Sequence, residues 1–159
     1  MLDSIRKRKE SGFTIVEVMI VLAIAGLIIL IVFLAVPALQ RNSRNTQRSN
    51  DVSALLGGVA EYQAANNGSI TGLTATNLTS SAKTGYYEGT TSGGQGSVNV
   101  VAATSAGVTL STAATDDRVI IVTSAKCNGS AAAQGPSRGV VALYQVETSS
   151  TPVAKCQAS

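Results

Sequence analysis

Histidine and tryptophan are absent from this 159-residue chain, aromatic residues make up only 4% of it, and charged residues 13%. Without histidine the commonest general base and the commonest transition-metal ligand are missing. The sequence also lacks a glycine-rich phosphate loop and a nucleophile beside an evident base. An enzyme, a cofactor site and a metal site are therefore not expected. With so few aromatics, a compact domain here has to build its core from Val, Ile and Leu, and its packing margin is thin. Cysteine is scarce too, since Cys127 and Cys156 are the whole complement. They lie too far apart for a CxxC redox or zinc knuckle and are too few for a four-ligand site. A structural disulfide formed in an oxidising compartment fits them best, with two unpaired buried thiols as the alternative.

Basic charge is sparse wherever a nucleic-acid partner would need it. The net charge of +3 is concentrated at the start, where Arg6, Lys7, Arg8 and Lys9 face only Asp3 and Glu10. Past Arg48 the acidic residues outnumber the basic ones. No basic stripe is left, and direct nucleic-acid binding is not expected.

The chain does have one long apolar run. Residues 18–39, VMIVLAIAGLIILIVFLAVPAL, contain no charge, amide or hydroxyl, and roughly 20 such residues span a bilayer core. Gly26 and Pro37 lie inside the run, and membrane helices tolerate both. Pro37 has no amide hydrogen for the carbonyl of Phe33, so a kink or loosened turn is expected there. Four cations precede the run and three, Arg41, Arg44 and Arg48, follow it. Charge alone thus gives only a small bias towards a cytoplasmic N-terminus. The three arginines share one helix face, suited to phospholipid headgroups, to acidic groups of neighbouring subunits, or to solvent. Val52, Leu55, Leu56 and Val59 then form the stripe of an amphipathic helix, and Asn66, Asn67 and Gly68 supply its stop. The spacing predicts one helix over 14–66, about 53 residues and about 80 Å long at 1.5 Å per residue.

Beyond the helix, residues up to 96 are rich in Ser, Thr and Gly and read as a loop with one short helical or strand piece. Strands are expected at 97–103, 107–111, 118–126, 139–147 and 153–156, the first two as a hairpin across 104–106. Together they predict an antiparallel sheet packed on the helix. Asp116 and Asp117 read as a turn, with a calcium-binding pair as the alternative. Asn77-Leu78-Thr79 and Asn128-Gly129-Ser130 match the glycosylation sequon, a frequent coincidence in so Ser/Thr-rich a chain.

The stretch Gly12-Phe13-Thr14-Ile15-Val16-Glu17 resembles the processing site of type IV prepilins. In that family a short basic leader ends in Gly, the mature chain starts with Phe, and its fifth residue is Glu, directly ahead of an apolar run. The resemblance covers residues 1 to about 60. It implies an α+β pilin fold and a structural protein, with residues 1–12 a leader removed by prepilin peptidase between Gly12 and Phe13. It further implies N-methylation of Phe13, a role for Glu17 in recruiting the incoming subunit, and local melting of the helix at Gly26 and Pro37. Pro37 lies about one turn later than in many members. The remaining divisions are a transmembrane and assembly helix at 13–39, an amphipathic continuation at 40–67, a loop at 68–96, and a sheet with a disulfide-closed end at 97–159. The implied partners are the membrane, identical subunits in a helical filament, and an assembly platform with its motor ATPase. The precursor would sit in the cytoplasmic membrane with its N-terminus inside, and the subunit would later form an extracellular filament serving adhesion, motility or DNA uptake. A secretion-system pseudopilin would share this N-terminus. A third reading is a secreted or singly anchored binding domain whose conventional signal peptide is cut after Ala38, so that it starts at Leu39.

Overall fold

A computed structural model describes residues 12–82, 84–87, 96–103, 105–111 and 117–159. Residues 1–11 of the expected leader, Thr104 of the expected hairpin turn, and Asp116 lie outside the described residues. Among the described residues, helix α1 (Ile15–Ala65, 51 residues) is followed by a short helix, α2 (Ala75–Ser81), and six strands. The strands are β1 (Val98–Ala102), β2 (Val119–Thr123), β3 (Ala125–Asn128), β4 (Ala131–Gln134), β5 (Val140–Val146) and β6 (Val153–Ala158). The chain divides into two compact units, Met1–Leu39 and Gln40–Ser159.

In the first unit α1 is apolar on every side, which marks a helix meant for apolar surroundings. An 18-residue window reaches a mean hydropathy of 3.3, and none of that window is buried within the chain. By length and composition α1 is the candidate membrane span among the described residues. Helical structure runs through both Gly26 and Pro37.

In the second unit the character of the helix changes. Val52, Leu55, Leu56 and Val59 are buried, as a stripe with spacings of three and four requires once it meets a sheet. The helix ends where Asn67 and Gly68 take left-handed backbone conformations, with φ of 54° and 79°. The Gly68 amide closes the turn by donating to the carbonyl of Gln63 at 2.6 Å.

The main sheet has the order β1-β2-β5-β6, while β3 and β4 form a separate two-stranded ribbon. Both faces of the main sheet are covered. On one face Val98, Val119, Ile121, Val140, Ala142 and Tyr144 pack with the α1 stripe and Leu78 of α2. On the other, Ile120, Val122, Val141 and Leu143 pack with Leu110, Ala125 and Ala132. Two-sided burial explains why β2 and β5 read as continuous apolar runs.

Three details depart from the expected strands. Residues 98–102 do not pair with 107–111 as a hairpin. Instead β1 lies parallel to β2, with Val98 opposite Val119, and Val108 forms an isolated bridge to Ala132. The alternation of Val108 and Leu110 puts both side chains into the second core, so this segment caps a sheet face and does not extend the sheet. The strand expected at 118–126 is broken at Ser124, whose φ of 54° turns the chain out of the main sheet into β3. The segment between the strands expected at 118–126 and 139–147 contains β4. Its return runs so close to Ala125 that a Cβ at Gly135 or Gly139 would come within 2.5 Å of the Ala125 backbone, and only glycine fits. Cys127 of β3 and Cys156 of β6 form a disulfide with their Cα atoms 5.7 Å apart, fastening the ribbon to the edge of the main sheet.

Candidate functional site: the start of the first helix

Gly12, Phe13 and Glu17 lie together at the beginning of α1, and all three are exposed. Phe13 is 88% accessible, heading a series of exposed large apolar side chains that continues through Leu39. The local fold is set by Thr14 and Glu17. The Thr14 amide donates to Glu17 Oε2 at 2.8 Å, the Thr14 hydroxyl donates to the same oxygen at 2.7 Å, and the Glu17 amide donates back to Thr14 Oγ1 at 3.3 Å. This is a capping box, in which side chains at the N-cap and three residues on satisfy each other's backbone donors. The carboxylate that the sequence singles out is thus held at the first turn by a neighbour three residues away. Its other oxygen, Oε1, has no partner among the described residues.

A second polar constellation lies in the other unit. The Arg44 guanidinium grips Glu147 with Nη2 to Oε2 at 2.6 Å and Nε to Oε1 at 2.9 Å. Asn45 and Glu147 exchange side-chain and backbone hydrogen bonds, each 2.8 Å. Arg48 reaches Glu147 Oε1 at 2.8 Å, donates to the Tyr86 hydroxyl at 3.1 Å, and pairs with Asp117. Tyr86 also donates its hydroxyl proton to Asp117, and the Arg48 guanidinium lies 5.0 Å from the Tyr86 ring centroid. One turn on, Asp51 accepts from the backbone amides of Tyr86 and Tyr87.

These contacts shift the titration of Glu147, Tyr86 and Arg48. The hydrogen bond from Arg44 pulls Glu147 below the usual carboxylate range. Burial, aided by the hydrogen bond to Asp117, raises Tyr86. For Arg48 burial works against the charge, but the Tyr86 hydrogen bond and the Asp117 carboxylate overcome it and keep the guanidinium ionised. The Arg44 and Arg48 charges are matched by Glu147 and Asp117, and these contacts tether α1 to the start of β2 and the end of β5.

The residues at the start of α1 carry the family signal. Residues 7–33 match the prokaryotic N-terminal methylation motif. No curated protein and no solved structure matches the chain. The methylation motif is the signature of type IV pilins and prepilins, and over these residues it supports a pilin-like or pseudopilin-like protein. The motif and the apolar half of α1 together indicate anchoring in a membrane.

The structure brings Gly12, Phe13 and Glu17 to one turn, puts Gly26 and Pro37 inside α1, and joins Cys127 to Cys156. Two features went unread in the sequence. Thr14 belongs with Glu17, and the Thr-x-x-Glu spacing ahead of an apolar run was the signal. Arg48 is not on a solvated or headgroup-facing surface. It is buried with Asp117, so Asp117 belongs to an ion pair. The clue was position, because Arg48 precedes Val52 by four residues and lies on the same stripe as Val52, Leu55 and Val59.

Proposed function

We propose that this chain is the precursor of a structural subunit of a type IV pilus-like filament, cut between Gly12 and Phe13 and assembled from the membrane through helix 13–39. The observation that carries the reading is the placement of Gly12-Phe13 and Glu17, inside the methylation motif, directly ahead of a run that stays exposed among the described residues. A carboxylate at the head of a membrane helix costs free energy, about 2.5 to 3.5 kcal/mol at the bilayer centre and less near the ends. The hydrogen bonds from Thr14 offset part of that cost in a lone subunit. Cleavage before Phe13 creates an α-amino group, which methylation would keep basic. Charge pairing between that amine and Glu17 of an adjacent subunit then favours association over solution in lipid.

On this reading prepilin peptidase is the processing partner, copies of the same chain are the lasting partners, and an assembly platform with a motor ATPase draws the subunit from the membrane. The N-terminus faces the cytoplasm, and the unit from Gln40 onward lies outside, where the Cys127–Cys156 disulfide is stable. Gly26 and Pro37 supply the points at which the helix stretches on leaving lipid. Adhesion, motility or DNA uptake is the service such a filament performs.

The test is the N-terminus of the exported product after expression with a prepilin peptidase, read by mass spectrometry. A start at a methylated Phe13 supports the proposal. A start at Leu39 or an uncut Met1 overturns it.

A further inference from the structure

We infer that Asn128 is a site of spontaneous deamidation, and that the fold protects the chemically identical site at Asn67. Both asparagines head the same tripeptide, Asn67-Gly68-Ser69 and Asn128-Gly129-Ser130, and both are exposed. Both glycines have positive φ, 79° and 61°. Sequence, exposure and the sign of the glycine φ therefore do not distinguish them, although Asn67 itself is left-handed, with φ of 54°, and Asn128 is not. Deamidation begins when the amide nitrogen of the following residue loses its proton and attacks the asparagine Cγ. A C–N bond forms, the carboxamide C–N bond breaks, and ammonia leaves a succinimide. Water then opens either carbonyl of the ring to give aspartate or isoaspartate. The net change is one water consumed and one ammonia released, with no oxidant or reductant needed. Glycine at the attacking position is favourable because no side chain obstructs the nitrogen.

The two nitrogens differ in what holds them. That of Gly68 is the last donor of the α1 cap and is bound to the Gln63 carbonyl at 2.6 Å. The Arg138 guanidinium packs against Gly68, with its Cζ 2.9 Å from where a Cβ would stand. The Arg138 carbonyl in turn accepts from the Gln63 side chain at 2.9 Å. Attack by Gly68 therefore has to break the cap and displace a packed neighbour. Gly129 lies in the two-residue turn between β3 and β4, after the Asn128–Ala131 pair that ends the ladder. Its amide donates no hydrogen bond among the described residues, and nothing stands within 4 Å of its would-be Cβ. Conversion at Asn128 would place a new carboxylate two residues from Lys126. As isoaspartate it would also add one backbone atom to a turn of two residues, beside the disulfide at Cys127.

The experiment uses the full chain in detergent with the disulfide intact, held at mildly alkaline pH and sampled over time by peptide mapping that separates aspartate from isoaspartate. A denatured, reduced sample serves as the reference. In the denatured chain the two sites convert at equal rates. In the folded chain Asn67 converts about tenfold more slowly than Asn128, a difference of about 1.4 kcal/mol in barrier. Equal rates in the folded chain, faster loss at Asn67, or an Asn128 that persists after the denatured sample has converted would each overturn the inference.

Discussion

Arg48 and Asp117, separated by 69 positions, form an ion pair whose side chains are only 5% and 7% exposed. Taking two charges out of water costs several kcal/mol each, and only close geometry with further hydrogen bonds restores it. Tyr86 and Glu147 supply those bonds to Arg48, and Tyr86 does so for Asp117. The pair ties the amphipathic stretch of α1 to the residue that leads into β2.

Removing Arg48 leaves the Asp117 charge buried with only the Tyr86 hydroxyl, whereas removing Asp117 leaves Arg48 with Glu147 as a remaining partner. Arg48→Ala should therefore destabilise the protein by about 3 to 5 kcal/mol, and Asp117→Ala by less. The double replacement Arg48→Met with Asp117→Leu should recover much of that loss. Denaturant unfolding of the three variants checks this, and a single variant with an unchanged midpoint would contradict the burial argument.

Glu147 gives the tether a pH dependence of definite sign. Its folded-state value lies below the ordinary 4.5, so its contribution is fully present above about pH 4.5 and is lost as the pH falls through the lower folded value. Stability measured down this range should fall in the native protein. Glu147→Gln should start lower and show a shallower acid slope, and parallel slopes for the two proteins would remove Glu147 from the account.

Removal of the disulfide, by Cys127→Ser with Cys156→Ser, should cost about 3 to 4 kcal/mol on the loop-entropy estimate. Because the bond joins β3 to β6, the loss should be local first. Amides of the β3–β4 ribbon should exchange with solvent faster than those of β2 and β5. Uniform acceleration across the unit would mean that the ribbon does not open separately.

At the head of α1 the two capping partners should separate in their effects. Thr14→Ala removes a cap worth about 1 kcal/mol but leaves the Glu17 carboxylate, so export and filament yield should drop only slightly. Glu17→Ala removes the charge itself and should leave export intact while abolishing sheared-off filaments. Comparable yields from the two variants would show that Glu17 acts as a cap alone.

Much of this architecture was legible in the sequence. The α1 boundaries fell within one residue of 14–66, because the apolar run, the stripe at Val52, Leu55, Leu56 and Val59 and the Asn-Asn-Gly stop are local signals. The β2 and β5 strands were legible from their β-branched runs. What was missed depends on distant partners. Nothing local to 98–102 says that its neighbour is 119–123 in parallel register. The β4 sequence, Ala-Ala-Ala-Gln, has no β-branched residue and is a strand because β3 folds back against it. The partners of Arg48 likewise come from 38, 69 and 99 residues away.

The uncovered apolar face of residues 13–39 also bears on reversibility. Lipid tails and the side chains of a neighbouring helix are about equally apolar, so moving this segment from one to the other changes its hydrophobic free energy little. In a filament of such subunits, most of the cohesive surface would be indifferent to its surroundings. Direction would then rest on a few polar atoms at Phe13 and Glu17, together with whatever mechanical work is applied. On the filament reading, such a subunit could be extracted, polymerised and returned to the bilayer with the unit from Gln40 onward folded throughout, as a reusable part.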